Sequence, residues 1–309
     1  MRASIRTVAA CGVLLACGGC DALPPPIARP DVLLFSLDTT RADRIGAYGH
    51  AAASTPTFDA LARDGVLFES AYSPTPITLP AHASMLTGLY PSAHGVRDNG
   101  LFALGPDATL VSEVFAAHGW RTGAFVGSFA VDERTGLAQG FEIYSDKGSE
   151  TRGIVPERTA DAVAKDAIAW LETLAPEDNF FLWLHFYDPH LPFAAPEPWR
   201  SRNADPYDAE IAFADAQLAR VLRSIETRGS DAPLLVVATS DHGEGLGDHG
   251  EGSHGVLLYQ GTVRVPLVIS GPHVARSPAP GWCTRSRSPT SPPLSSRWPG
   301  CRRTPCPRR

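Results

Sequence analysis

Residues whose types could attack an anionic substrate or hold a metal ion stand at four places in the 309-residue chain. The first is a hydroxyl, Thr78, two positions before Pro80 at the opening of an apolar run that closes at Gly88. This pattern predicts a helix start, because proline fits the first turn, where its missing N–H costs nothing, and glycine suits the end. A side chain there faces unpaired backbone N–H groups and the positive end of the helix dipole. That setting suits an oxyanion, or a nucleophile meeting an anionic substrate; the plain alternative is that Thr78 is only an N-cap. The second and third places are Asp38, after the apolar segment 31–37, and Asp241-His242, after the apolar segment 233–240. Carboxylates and an imidazole at the C-terminal ends of hydrophobic strands lie where an open α/β sheet places its ligands. Around a hydroxyl they make a metal site of hard or borderline character. The fourth place is His190, braced by Pro189 and Pro192 behind the apolar segment 180–187. It is either a structural loop histidine or a contact to substrate or to a second metal. His242, His249 and His254 crowd a glycine-rich stretch, more imidazole than a plain loop needs.

The elements that must position these groups alternate. Strands are predicted at 31–37, 66–72, 119–126, 180–187, 233–240 and 262–270. Helices are predicted at 55–65, with Thr55 as cap and Pro56 at N1, then at 80–88, 109–118, 157–174 and 207–228. In 157–174, Ala160, Val163, Ala167, Ile168 and Leu171 form one apolar face. Helix followed by strand, repeated, argues for an α/β fold with a mostly parallel sheet and helices on both faces. The loop 94–100 is turn-rich, with His94 and Asn99 as candidates to line the pocket and a merely solvated histidine as the plain alternative, and Arg41, Asp43 and Arg44 read as surface ion pairs.

Four ordered motifs carry a resemblance. Asp38-Thr39-Thr40-Arg41-Ala42-Asp43, then Thr78-Leu79-Pro80-Ala81-His82 with Thr87-Gly88, then Asp188-Pro189-His190-Leu191-Pro192, then Ser240-Asp241-His242-Gly243-Glu244 with Gly247-Asp248-His249-Gly250 resemble the sulfatase family of the alkaline phosphatase superfamily. The resemblance implies an alkaline-phosphatase-like fold over 31–275, with the family's C-terminal subdomain missing. It also implies a hydrolase of sulfuric or phosphoric esters with one divalent metal ion, Ca2+ by the family's habit and Zn2+ or Mn2+ as alternatives, held by Asp38, Thr78, Asp241 and His242. Thr78 then attacks the sulfur or phosphorus centre, while His82, His190 and His254 orient it, bind ester oxygens and protonate the leaving group. His254 stands near the family's basic residue at the ester.

The chain also departs from the family pattern. Family sulfatases carry Cys or Ser, oxidised to formylglycine, in C/S-x-P-S/A-R; here Thr78 fills that slot and His82 replaces the arginine. Threonine cannot give the aldehyde. Gly127-Ser128-Phe129-Ala130 stands where many members have a sulfate-gripping Gly-Lys-Trp-His run, and Thr39 where many have a second metal-binding aspartate. Threonine nucleophiles occur in sister branches that cleave phosphodiesters or transfer phosphoethanolamine and glycerophosphate groups. A rival of another class is a non-catalytic anion- or glycan-binding lipoprotein.

Composition bounds the rest. An apolar fraction of 43% supplies a sizeable core. The six cysteines, Cys11, Cys17, Cys20, Cys283, Cys301 and Cys306, leave the body with neither a thiolate site nor a cysteine nucleophile. Residues 1–20 read as a lipoprotein-type signal peptide with Cys17 or Cys20 as the lipidated residue. Residues 21–30 then form a proline-rich tether, so the expected location is the bacterial cell envelope, with the membrane as partner through a lipid anchor. Residues 276–309, rich in Arg, Pro, Ser and Cys without apolar periodicity, read as an aberrant, frameshifted tail. Ten of the 27 basic residues but none of the 33 acidic ones lie in the leader and tail. The strongly acidic body argues against nucleic-acid binding and needs a local cation to hold an anionic ester.

Overall fold

The computed structural model describes residues 29–146, 157–271 and 274; the predicted leader, all of the tether but its last two residues, and the tail lie outside these. Among the described residues nine strands form: β1 (Asp31–Leu37), β2 (Val66–Leu67), β3 (Ala71–Tyr72), β4 (Arg121–Val126), β5 (Ile143–Ser145), β6 (Phe180–Phe186), β7 (Leu234–Ser240), β8 (Arg264–Val265) and β9 (Leu267–Ser270). Seven make one sheet in the order β2-β9-β7-β1-β6-β4-β5, and β3 pairs with β8 in a small second sheet. The run β7-β1-β6-β4-β5 is parallel, and β9 adds antiparallel beside β7. The helices are α1 (Pro56–Asp64), α2 (Thr78–Thr87), α3 (Pro91–His94), α4 (Val111–Ala117), α5 (Ala160–Leu171), α6 (Trp199–Arg202), α7 (Pro206–Glu226) and α8 (Gln260–Val263).

The central strands are buried on both faces, which is why they read as unbroken apolar runs. Side chains alternate along a strand. Leu33, Phe35 and Leu37 of β1 therefore join Leu182, Leu184 and Phe186 of β6 under α5 and α7. Val32 and Leu34 join Phe181 and Trp183 on the opposite face, under Leu79, Ala83 and Leu86 of α2. The mostly parallel sheet with helices on both faces is thus the predicted one. β1 lies between β6 and β7, which makes the C-terminal ends of these strands the expected ligand crevice.

The boundaries differ where distant residues intervene. Thr55 stands at the N-cap of α1 without capping it. Instead, Asp215 of α7 accepts from Thr57 N at 3.0 Å and Phe58 N at 2.9 Å. The helix predicted at 157–174 begins only at Ala160, whose N–H donates to Asp188 at 2.8 Å. The predicted last strand, 262–270, is the end of α8, then β8, then β9, broken at Pro266, which has no N–H for a ladder. The strand predicted at 66–72 divides likewise into β2 and β3, which belong to different sheets.

Candidate active site

The register of the sheet sets Leu37 beside Ser240, so the next residues, Asp38 and Asp241-His242, emerge together at the crevice. The turn after β1 is tightly held. Thr39 adopts φ 49°, a left-handed conformation unusual for a β-branched residue. Its N–H donates to Asp241 Oδ1 at 3.3 Å, its carbonyl accepts from the Tyr207 hydroxyl at 2.6 Å, and Thr40 N donates to Ser240 Oγ at 3.0 Å. After His242 the chain passes so close to Gly261 that a Cβ on Gly243 would lie 2.0 Å from its carbonyl oxygen, so glycine alone fits there.

Thr78 is the first residue of α2, and the N-cap position falls on Ile77. The Thr78 side chain makes no cap; its Oγ1 lies 3.3 Å from His242 Nε2. Asn99, from the loop after α3, accepts the Leu79 N–H at 2.8 Å. The helix closes on Gly88 at φ 71°.

One donor atom each from Asp38, Asp241 and His242 falls within a mutual 4.8 Å, and all three residues are buried. Both oxygens of Asp38 and Oδ2 of Asp241 lie in the interior without a hydrogen-bond partner. Two such carboxylates side by side repel each other and forgo solvation, and a divalent cation is the partner that satisfies both. The residues thus fit the ion that the sequence implies. Titration has the same cause. Burial pushes Asp38 up, but His185, His190 and His242 outweigh it and hold the group below the ordinary carboxylate range. Burial and the Asp38 charge push Asp241 well up. Without a cation the pair carries about one negative charge, and a bound cation ionises both. Burial lowers His242 to about 4, which keeps the ring neutral. Its Nδ1 donates to the Gly243 carbonyl at 2.9 Å, so Nε2, the nitrogen beside Thr78, is a lone pair.

The other predicted histidines divide into two layers. His254 meets His242 with ring centroids 4.5 Å apart and His190 at 5.1 Å, so the three rings form a row that begins with His242 beside Thr78. His254 Nδ1 lies 3.3 Å from Glu244 Oε2; burial alone would lower its pKa, but the carboxylate raises it above the usual imidazole value. His190 Nδ1 sits 2.7 Å from the Leu191 carbonyl and 2.7 Å from the Tyr187 hydroxyl, leaving Nε2 as the nitrogen able to reach a ligand. His82 lies beneath the site. It is wholly buried, donates from Nδ1 to the Thr78 carbonyl at 2.9 Å, and has its Nδ1 3.6 Å from Asp241 Oδ2. Burial and the neighbouring His185 hold its pKa well below the usual value.

Three participants escaped the sequence reading. Glu244, within a quoted motif, partners His254. Ser36 and His185, neighbours across β1 and β6, pack under Asp38 with His82. Their signal was a polar residue inside an apolar strand, and for Ser36 alone a place on the same alternate face as Asp38.

Comparison with known proteins places this geometry. The sequence profile of the sulfatases matches residues 30–293. The ulvan-active sulfatase of Formosa agariphila is 26% identical over 292 residues, covering 80% of this chain and 57% of that protein. Human arylsulfatase A is 26% identical over 322 residues, 84% of this chain and 62% of that protein, so the chain spans less than two thirds of either relative. The crystal structure of a phosphonate monoester hydrolase of Agrobacterium radiobacter superposes with a TM-score of 0.64 at 25% identity, over 78% of this chain and 68% of that one. With the profile spanning most of the chain and the paired strand-end carboxylates in the crevice of the matching fold, this protein belongs to the sulfatase family.

Proposed function

We propose that the chain is a metal-dependent hydrolase of anionic sulfate or phosphorus esters with Thr78 as its nucleophile. The observation that carries this reading is the Thr78 hydroxyl, free of capping duty, 3.3 Å from Nε2 of His242, which itself clusters with the carboxylates of Asp38 and Asp241. Asp38, Asp241, His242 and Thr78 Oγ1 would hold one divalent ion. Such an ion lowers the pKa of a bound hydroxyl and offsets the charge of the incoming anion. Thr78 Oγ1, its proton released to solvent as the ion is bound, forms a bond to phosphorus or sulfur as the bond to the leaving oxygen breaks, and His254, kept protonated by Glu244, gives that oxygen its proton. Water or an acceptor alcohol, deprotonated by the same His254, then displaces Thr78. His190 offers Nε2 to an ester oxygen, and His82, buried under the turn, orients Thr78 through its carbonyl.

Relatives named as sulfatases favour sulfate. Threonine in place of a formylglycine precursor, together with the likeness to a phosphonate monoester hydrolase, favours phosphorus, and with it phosphodiester cleavage or group transfer. A non-catalytic anion-binding shell would have no use for two adjacent buried carboxylates, three of whose four oxygens lack a hydrogen-bond partner. Metal-loaded protein assayed with a nitrophenyl phosphodiester and with nitrophenyl sulfate decides between the ester classes. Thr78→Ala lowers turnover by on the order of 10⁴ while metal binding remains, and Thr78→Ser keeps much of it; parent-rate turnover by Thr78→Ala ends the proposal. For localisation, the reading is a lipid-anchored envelope protein beginning at Cys17 or Cys20, which mass spectrometry of the mature N-terminus tests.

A further inference from the structure

Tyr187 and His190 follow the C-terminal end of β6 and pack on each other. Their rings stack with centroids 4.4 Å apart and planes at 20°, and His190 N donates to the Tyr187 carbonyl at 2.9 Å. His190 Nδ1 lies 2.7 Å from both the Leu191 carbonyl and the Tyr187 hydroxyl. A carbonyl can only accept, so Nδ1 carries a proton whatever the charge of the ring. The Tyr187 oxygen, facing that proton, therefore accepts as well. Its own proton is directed elsewhere, and the Tyr187 side chain is hydrogen-bonded to the side chain of Glu157.

Glu157 is buried, and the reaction described above gives it no part. Its segment, just before α5, is pinned to the end of β4: Glu157 bridges Ser128, Arg158 N donates to the Gly127 carbonyl at 2.9 Å, and Gly127 N donates to the His185 carbonyl at 3.0 Å. A Cβ on Gly127 would lie 3.0 Å from both the Arg158 carbonyl oxygen and Tyr187 N, so the three segments are in direct contact. A glutamate is seldom buried unless bonded, and one bond of this one goes to a residue that holds His190. We infer that Glu157 is a positioning residue, which through the Tyr187 hydroxyl fixes the plane of the His190 ring. The inference rests on the part given to His190 in the reading above and deepens it. A half-turn of the imidazole would exchange Nδ1 for a carbon and break both of its bonds. The lock thus also keeps Nε2, rather than a carbon, on the side that meets an ester oxygen.

Nitrogen-15 NMR of the histidine side chains in the full-length protein reads this lock without any turnover. The His190 Nδ1–H signal, identified by its loss in His190→Gln, should exchange with water about tenfold faster in Glu157→Ala and in Tyr187→Phe than in the parent. Glu157→Gln, whose amide oxygen accepts the same tyrosine proton, should stay near the parent rate. In metal-loaded protein, kcat/KM for a nitrophenyl ester should fall about 10- to 100-fold in Glu157→Ala, recover in Glu157→Gln, and fall no further when Glu157→Ala is added to His190→Gln. Fully additive losses would make Glu157 a structural residue only and overturn the inference. A parent signal that exchanges as fast as a free imidazole, or one unmoved by Glu157→Ala, overturns it too. If Glu157→Ala does not fold, Glu157→Asp, too short by one methylene to reach Tyr187, takes its place with the same expected signs. A signal that moves as expected in a protein without ester turnover defeats only the functional reading, whereas turnover with an unmoved signal defeats only this inference.

Discussion

Strand β1 carries a buried aspartate just inside one end and another just past the other, and the two are held in opposite ways. Asp31, 2% exposed, has every oxygen engaged: Oδ1 accepts from Phe180 N at 3.1 Å and Asn179 Nδ2 at 3.3 Å, and Oδ2 from Arg228 at 3.1 Å. Asp38 is fully buried and neither of its oxygens has a hydrogen-bond partner. Burial costs the two alike. At the N-terminal end of the sheet the fold supplies a guanidinium and amides, so the group is structural. At the C-terminal end it supplies a second carboxylate, Asp241, and the His242 ring, a cluster of donors that could hold a cation. The direction in which a buried charge is compensated, by the protein or by something it must bind, separates scaffold from site.

The largest expected effect comes from removing that difference. In Asp38→Asn, loss of several kcal/mol of electrostatic stabilisation should lower turnover by about 10³-fold or more. A metal ion at 100 times its Kd should stabilise the parent by about 2.7 kcal/mol against unfolding, and Asp38→Asn by almost nothing. The metal-free variant should be no less stable than the metal-free parent, because Asp241 loses the like charge that pushes its pKa up. Urea titrations with and without metal measure both; a variant that keeps the parent's metal-induced stabilisation contradicts the comparison.

His254 sharpens the comparison from the substrate side. Glu244 raises its pKa against the pull of burial, so the acid form persists above the ordinary imidazole range. If it protonates the leaving group, kcat/KM falls as pH rises through that raised pKa. Glu244→Gln should move the alkaline limb to lower pH, and His254→Gln should lower the rate by about 10²-fold and flatten the limb. An alkaline limb unmoved by Glu244→Gln assigns the proton to another group. The same sign governs stability: a raised histidine favours the fold below its unfolded pKa, and that contribution is lost as pH rises through the folded one.

Much of this was legible in the sequence because parallel strands flanked by helices leave a strong pattern, and Asp38, Asp241 and His242 stand just past two of them. His185 and Ser36 were hidden by that same strength. In a strand buried on both faces every position is apolar by default, so one histidine in Phe-Phe-Leu-Trp-Leu-His-Phe gives no sign of its face until β1 is paired with β6 and Ser36 falls opposite it. The Asp215 cap on α1 was out of reach for a different reason: its donors lie more than 150 residues away in sequence, and the local Thr55-Pro56 signal offers a sufficient but unused cap. Thr78 stood between two readings, cap and nucleophile, that share one local pattern; the structure gives the N-cap position to Ile77 and sets the Thr78 hydroxyl 3.3 Å from His242 Nε2, a contact no local pattern announces.

Asp31→Asn tests the scaffold end. Arg228, whose side chain is 4% exposed, would keep its bonds to the Ala175 and Asp178 carbonyls but lose its only counter-charge among the described residues. Breaking a buried pair from one side costs about 3 kcal/mol, on the order of 10²-fold in the folding constant, and metal affinity in the folded protein should not change. A denaturant midpoint unchanged by Asp31→Asn would remove the structural role given to this residue.

The smallest effect belongs to the ion pair nearest the site. Arg41, in the turn after β1, reaches Asp248 in the loop after β7 at 2.7 Å, and so links the two segments that carry Asp38 and Asp241. By position it ought to matter more than the remote Asp31 pair. Physically it should matter less. Asp248 is 55% exposed, so solvent already satisfies its charge, and Arg41 without it still holds Asp43 through two bonds at 2.9 and 2.8 Å and the Glu244 carbonyl at 3.3 Å. The two segments are joined independently by Thr39 N to Asp241 and Thr40 N to Ser240, which no surface charge controls. Asp248→Ala should therefore cost less than about 0.5 kcal/mol, within the range of exposed pairs, and the loss should vanish in high salt. Turnover should change less than about twofold, since 0.4 kcal/mol is a factor of two. A double-mutant cycle with Arg41→Gln that returned a coupling as large as the Asp31–Arg228 pair would show that proximity to the crevice, rather than burial, sets the strength of these interactions.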